Sequence, residues 1–122
     1  MFGILPAYGF YCRHAQGLSL RNLSLRTRVA DARPAVVCDD VQDLVMEGVK
    51  SSPAAKAAPM VVLSNVRDAW IHSNRVLSEA DAFLLLEGPS TSRIRVGDNE
   101  TSRVKQPLQI GAGVPRGALL LP

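Results

Sequence analysis

Hydrophobic and polar positions follow one short pattern that occurs four times along the chain. Each copy has three consecutive apolar residues and, a few positions later, a second short run in which apolar residues recur at alternate positions. Aligned on Cys12, Cys38, Leu63 and Leu86, the copies lie 26, 25 and 23 residues apart. Alternation is typical of β-strands, whose successive side chains point to opposite faces. A repeat of this length predicts a solenoid of stacked β-strands.

The repeat divides the chain into three parts. Residues 1–9 contain the breakers Pro6 and Gly9 and are interpreted as a lead-in or N-terminal cap. Residues 10–103 form about four coils, and residues 104–122, rich in Gly and Pro, are an irregular tail or C-terminal cap. The predicted fold is all-β, a single-stranded parallel β-helix. The chirality of crossover connections makes a right-handed helix the expected form.

The alternation also predicts which side chains enter the core and where each coil bends. The positions expected to point inward are Leu18, Leu20, Leu44, Met46, Val62 or its neighbours, and Ile71. Asn22, Gly48 and Asn74 recur at one register. Because Gly and Asn tolerate a left-handed backbone, we expect a corner with positive φ there. In the fourth coil, Gly97-Asp98-Asn99 marks this corner, displaced by one residue.

A stack of coils has a free strand edge at each end, and such edges pair with other chains. The first coil begins at Phe10, and its apolar cross-section is expected to support self-association. The Pro- and Gly-rich tail is better suited to protect the other end, because proline cannot donate a hydrogen bond to a strand ladder.

Composition and charge exclude several partners. The chain has 122 residues, enough for one domain, with 47% hydrophobic and 20% charged residues and a net charge of +3. Its arginines are spread along the length without the dense basic stripe of a nucleic-acid surface, so no nucleic-acid partner is expected. No apolar run is long enough to span a membrane. The segment Met1–Cys12 lacks the basic start and cleavage site of a signal peptide.

Few residues suggest site chemistry. Asp39, Asp40 and Asp43 are either paired carboxylates, a weak cation site, or, as we favour, a solvated turn. No set of oxygen ligands adequate for a hard cation is evident, and no metal or cofactor is predicted. His72 is expected to point outward, opposite to Ile71, and it lacks the neighbours of a metal ligand.

The two cysteines, Cys12 and Cys38, share one register in adjacent coils. Their Cα atoms are expected to lie within disulfide range. Because both are flanked by apolar residues, we favour inward-pointing free thiols over a disulfide, and no base for a cysteine nucleophile is implied.

Three stretches together resemble bacterial polygalacturonase-like proteins of glycoside hydrolase family 28, and in particular their last coils. They are Leu5-Pro-Ala-Tyr-Gly-Phe-Tyr-Cys-Arg-His14, Gly17-Leu-Ser-Leu-Arg-Asn-Leu23 and Asp31-Ala-Arg-Pro-Ala-Val-Val-Cys-Asp-Asp-Val41. The resemblance covers roughly residues 2–100. It implies a right-handed parallel β-helix, a role in cleaving galacturonic-acid linkages of pectin, and a secreted or periplasmic location.

The family's catalytic motifs are missing from this chain. It has no Asn-Thr-Asp and no Gly-His-Gly, and Arg93-Ile94-Arg95 lacks the lysine of the family's Arg-Ile-Lys. Inverting hydrolysis needs an acid and a base on either side of the bond. No catalytic residue is therefore assigned, and the chain is expected to resemble the C-terminal coils of such an enzyme and to be inactive alone. The alternative is a stand-alone β-helix binding or interaction module, or an inactive remnant.

The resemblance makes an acidic, pectin-type polysaccharide the expected partner. The candidate substrate-binding residues are Arg13, His14, Asp39 and Asp40. Tyr8, Tyr11 and Trp70 are either a platform for stacking sugars or packing residues, which are the more common use of aromatics in a coil. Arginines such as Arg21, Arg26 and Arg28 are suited to pair with carboxylates through the guanidinium fork, or simply keep the outer face soluble.

Overall fold

The structure, a computed structural model, describes residues 9–25, 34–51, 59–111 and 113–120. These residues contain no helix and form short parallel strands separated by bends. The strands are β1 Phe10–Arg21, β2 Ser24–Leu25, β3 Val36–Glu47, β4 Lys50–Ser51, β5 Val61–Ser64, β6 Arg67–His72, β7 Arg75–Val76, β8 Leu84–Glu87, β9 Ser92–Gly97, β10 Leu108–Ile110 and β11 Leu119–Leu120.

The strands stack as a β-solenoid of about four turns, which confirms the predicted all-β parallel fold. In the larger sheet, β1 and β3 each run through both halves of a coil. The first halves stack in the order β1, β3, β5, β8 and β10, and the second halves in the order β1, β3, β6, β9 and β11. The remaining side of each coil is a narrow sheet of β2, β4 and β7. Every pairing is parallel.

The register of the stack is the one that the sequence repeat predicts. Cys12 pairs with Cys38, Cys38 with Leu63, and Leu63 with Leu86. The predicted inward residues pack in or against one core: Leu20, Leu44, Met46 and Ile71 are buried, and Leu18 is half-buried. In the third coil the neighbours Val61 and Leu63 are buried, whereas Val62 is only half-buried. Alternation therefore predicts the direction of each of these side chains.

Three columns of left-handed residues bend every coil at equivalent places. The first comprises His14, Asp40, Asn65 and Gly88; the second Gly17, Asp43, Asp68 and Arg93; the third Asn22, Gly48, Ser73 and Asp98. The predicted corner is correct at Asn22 and Gly48. In the fourth coil it lies at Asp98, inside the predicted Gly97–Asn99 stretch, but it is in register with Ser73, so the predicted displacement is wrong. The predicted corner is also wrong at Asn74, because Ser73 takes the positive φ and Asn74 turns inward.

Asn74 and Asn99 form a short hydrogen-bonded ladder inside the solenoid. The Asn74 side chain accepts from the Val49 N–H at 2.9 Å and donates to the Met46 carbonyl at 3.2 Å. It also donates to Oδ1 of Asn99 at 3.0 Å, and Asn99 donates to the Ile71 carbonyl at 3.1 Å. Buried backbone groups at the bend need such partners, because an unsatisfied one is costly. The asparagine is therefore selected by hydrogen bonding.

The fourth copy follows at a shorter spacing because the connection from β7 to β8 is two residues shorter than that from β4 to β5, as the pairs Ser51–Val76 and Val61–Leu84 show. A two-residue insertion before β9 then restores the longer offset. Leu63 pairs with Leu86, an offset of 23, whereas Trp70 pairs with Arg95, an offset of 25. Pro89 and Ser90 supply the two extra residues between these strands. The side chain of Asn65, in the coil before, accepts a hydrogen bond from the Ser90 N–H at 3.0 Å and holds this loop against the stack.

The two ends of the chain are described unequally. In the segment interpreted as a tail or cap, β10 pairs with β8 and β11 pairs with β9, so both strands extend the larger sheet. Of the predicted lead-in, only Gly9 is among the described residues, and its N–H donates to the Ala35 carbonyl at 3.1 Å.

Candidate functional site

The four candidate substrate-binding residues lie together at the first corner of coils one and two. His14 and Asp40 have positive φ there, and His14 Nδ1 lies 2.6 Å from Asp40 Oδ2. Arg13 Nε lies 3.5 Å from Asp39 Oδ2. From the third coil, a guanidinium nitrogen of Arg67 lies 3.1 Å from Asp40 Oδ1. We call these five residues the corner cluster.

Asp40 is the centre of the corner cluster, and its surroundings favour the carboxylate. The hydrogen bond from His14, and after it the hydrogen bond from Arg67, lower the pKa of Asp40 below its ordinary value. Its side chain is 41% exposed, so its ionised form is also hydrated. A general acid needs a raised pKa to hold its proton near neutral pH. Asp40 therefore lacks the environment of a catalytic acid and links three coils as a charged group.

A shallow groove of about 250 Å³ runs along the stack beside the corner cluster. One wall is the second column of left-handed residues, in which Asp43, Asp68 and Arg93 follow one another through three coils. The other wall comprises the outward side chains of the second half-coils, Val45, Trp70, Arg95 and Leu120. Arg67 of the corner cluster immediately precedes Asp68 of the first wall along the chain.

Trp70 and Arg95 are adjacent in the second wall of the groove. Trp70 is 46% exposed, a large fraction for an indole. Arg95 is its register partner in the next coil, and among the described residues Arg95 forms no ion pair. Arg93, by contrast, has its Nε 2.8 Å from Asp68 Oδ1. The groove thus offers an aromatic ring and an uncommitted guanidinium group one strand apart.

The imidazole of His72 lies against the Trp70 indole. The ring centroids are 4.0 Å apart, and the ring planes are inclined by 26°. The side chain points away from the side occupied by Ile71, as predicted, but only 14% of it is exposed because other groups cover it. One of these is Glu47, whose Oε2 lies 3.2 Å from His72 Nε2.

The sequence does not predict this groove. A platform shared by Tyr11 and Trp70 is not formed, because their columns meet β3 at Val37 and Val45, towards opposite ends of that strand. Tyr8 and the arginines at 26 and 28 lie outside the described residues. The signal that would have found the groove is the outward position of each second run, which reads Ser19, Val45, Trp70 and Arg95 from coil to coil.

The cysteines and the aspartates offer no further chemistry. Cys12 and Cys38 are register partners and free thiols. Burial, and after it the neighbouring Cys12 thiol, raise the pKa of Cys38 to about 12, so its nucleophilic thiolate is suppressed. Among the described residues, no three His, Cys, Asp or Glu side chains are grouped as metal ligands would be. Within that same part of the chain, no helix has the length and apolarity needed to cross a bilayer.

Comparisons of the chain with protein-family models, with curated proteins and with solved structures find no match.

Proposed function

We propose that this chain binds an acidic, pectin-type polysaccharide along the groove that contains Trp70. The observation that carries the proposal is the pairing of an exposed indole with the guanidinium group of Arg95 in the next coil, which forms no ion pair within the described part of the chain. A surface that only had to remain soluble would not need to expose a tryptophan, since indole is a large apolar side chain.

The two side chains match the two chemical features of a uronic acid. The ring of a pyranose has a face of C–H groups that can lie on the apolar indole. Its carboxylate can accept two parallel hydrogen bonds from a guanidinium fork. Neighbouring strands of a sheet are about 4.8 Å apart, so one sugar unit can contact both side chains when the polysaccharide runs along the stack.

The corner cluster supplies a second zone of contact beside the groove. Its arginines and carboxylates neutralise each other, so the cluster presents hydrogen-bonding groups with little net charge. Exposed ion pairs of this kind contribute little to stability. Arg13, His14, Asp39 and Asp40 are therefore proposed as outer contacts to the polysaccharide, with the groove providing most of the affinity.

The proposal includes binding without cleavage. The resemblance to polygalacturonase-like hydrolases supports a parent protein of that family, in which these coils would contact the substrate beside catalytic coils. In the alternative, the same surface belongs to a stand-alone binding module. Asn-Thr-Asp and Gly-His-Gly motifs encoded in frame before Met1 would favour the hydrolase, and a start codon with its own regulatory region at Met1 would favour the module.

Isothermal titration with an oligogalacturonate of defined length tests the binding. We expect binding that weakens with salt, and a loss of affinity of about tenfold or more in Trp70→Ala and in Arg95→Ala. Arg75→Ala is the matched control, because Arg75 is an exposed arginine on β7, in the other sheet. The fully methyl-esterified oligomer should bind much more weakly. Equal binding of the two oligomers, or none to the wild-type chain, would contradict the proposal.

Release of reducing ends from polygalacturonate is the companion assay. We expect none above a buffer blank, because the family's catalytic motifs are missing from this chain. Activity in a preparation free of host enzymes would contradict this part of the proposal, and Asp39 and Asp40 would then be the first residues to mutate.

A further inference from the structure

His72 is held by three neighbours at the edge of the groove. It stacks on Trp70, its Nδ1 lies 3.2 Å from the Ser73 hydroxyl, and its Nε2 lies 3.2 Å from Glu47 Oε2. Nε2 is enclosed and makes no well-aligned hydrogen bond with a described residue. A proton added to this enclosed ring nitrogen could be donated in a hydrogen bond to the facing carboxylate.

The fold does not require a histidine at this position. The equivalent residues in the other coils are Arg21, Glu47 and Gly97, so the backbone accepts very different side chains there. The imidazole occurs in the one coil whose outward neighbour is a tryptophan. Packing of the solenoid therefore leaves the pairing of His72 with Trp70 unexplained.

We propose that His72 is a positioning residue for Trp70, and that protonation of His72 strengthens ligand binding at the groove. The inference rests on the proposed polysaccharide-binding function. The imidazole covers one face of the indole and leaves the other for a sugar ring, which fixes the direction from which a ligand can stack.

Protonation tightens this arrangement through two contacts. In the imidazolium both ring nitrogens are donors, so Nε2–H can donate to Glu47 while Nδ1–H donates to the Ser73 hydroxyl. The cation also gains an attraction to the face of the indole. Both contacts hold the imidazole, and with it the indole, more firmly. A pre-ordered indole loses less entropy when a ligand binds, so affinity rises.

The other charges near this pair come from three strands. Glu47 on β3 is the partner for the added proton, and Arg21 on β1 lies 3.8 Å from the same carboxylate. Arg95 on β9 is beside Trp70 and faces the bound ligand. Gly97, the register partner of His72 on β9, contributes no charge. Histidine is the side chain that ordinarily gains its proton between about pH 8 and pH 5, and uronate carboxylates remain ionised across that range.

The composition of the chain provides a direct measurement. Trp70 is the only tryptophan, and His14 and His72 are the only histidines. A protonated imidazole in contact with an indole quenches its fluorescence. We expect the tryptophan emission of the wild-type protein to fall in one step between about pH 8 and pH 5. The step should disappear in His72→Gln and persist in His14→Gln. No step in the wild type, or the same step in His72→Gln, would overturn the proposed contact.

Titration of the same proteins with oligogalacturonate tests the consequence for binding. Wild-type affinity should increase several-fold from about pH 8 to about pH 5, while His72→Gln should bind with little change. His72→Phe, which keeps a stacked ring without a proton, should retain part of the affinity at both pH values. Wild-type binding that is equally tight at the two pH values would overturn the inference. If the wild type binds at neither, the proposed function fails, and the fluorescence step still decides whether His72 contacts Trp70.

Discussion

The inward and outward sides of one strand, β6, follow different rules. Ala69 and Ile71 point inward and are buried, and their equivalents in every coil are also apolar. Trp70, between them, points outward, and its column changes from a hydroxyl to an aliphatic, an aromatic and a cationic side chain. Packing dictates the inward residues, because each coil buries its core only against its neighbours. Residues on the outward side are free to vary, and that is where the proposed function lies.

The largest difference between the two sides is expected for a buried charge. Leu20 is 4% exposed, and Ser19 before it points outward. Leu20→Asp should unfold the first coil, because an unpaired buried carboxylate costs several kcal/mol, on the order of 3 or more. Ser19→Asp, the matched control, should melt within a few degrees of the wild type. Thermal melting of Leu20→Asp that matches the wild type would remove Leu20 from the core.

The asparagine ladder should give the next largest effect. Asn74→Ala leaves the Val49 N–H and the Met46 carbonyl without this side-chain partner, and we expect a loss of about 1–3 kcal/mol in the free energy of unfolding. Ser73→Ala, at the outward corner beside it, should change stability by less than about 0.5 kcal/mol. Denaturant unfolding of both variants makes the comparison, and equal losses would mean that the ladder has no special role.

The two cysteines extend the comparison to chemical reactivity and alkaline pH. A thiol reagent should modify half-buried Cys12 in the folded protein and Cys38 only after unfolding.

Because folding raises the pKa of Cys38 from 9.0 to about 12, the unfolded state loses this proton first as pH rises. Stability should therefore fall as the pH rises above 9.0 toward about 12. Cys38→Ala should lack that part of the decline, and Cys12→Ala should keep it.

The smallest effect is expected for self-association through the free end of the first coil. Phe10 and Tyr11 are neighbours on β1 that point to opposite sides. If self-association proceeds through the apolar cross-section of this coil, Phe10→Lys should weaken it and Tyr11→Lys should not. Sedimentation at tens of micromolar distinguishes the two. A wild-type protein that sediments as a clean monomer would contradict the expected association.

Much of the fold is predictable from the sequence because the repeat encodes it twice, in alternation and in spacing. Leu44, Met46 and the Cys12–Cys38 register follow directly from that pattern. The position of the bend in the third coil does not follow from the pattern, because Ser73 and Asn74 are both suited to a bend. Only the hydrogen bonds to the preceding and following coils decide which one turns inward.

Less of the candidate site is predictable. The sequence identifies the corner cluster apart from Arg67, since adjacent residues in aligned copies become neighbours in the stack. The groove depends on how sharply the left-handed residues at Asp68 and Arg93 turn the chain beside the Trp70 column. Those angles are set by the three-dimensional stack. Arginine is not a sequence signal for a positive φ, and aspartate is a weaker one than glycine.

Mapping the backbone amide shifts of the labelled protein with an oligogalacturonate tests the central claim most directly. At 13.1 kDa the chain suits solution NMR. We expect shifts concentrated on the groove, from Asp68 to Trp70 and from Arg93 to Arg95, with smaller ones at the corner cluster. The other sheet, around Lys50 and Arg75, should be unaffected. Shifts confined to that sheet, or spread evenly over the exposed arginines, would contradict a specific polysaccharide site at Trp70.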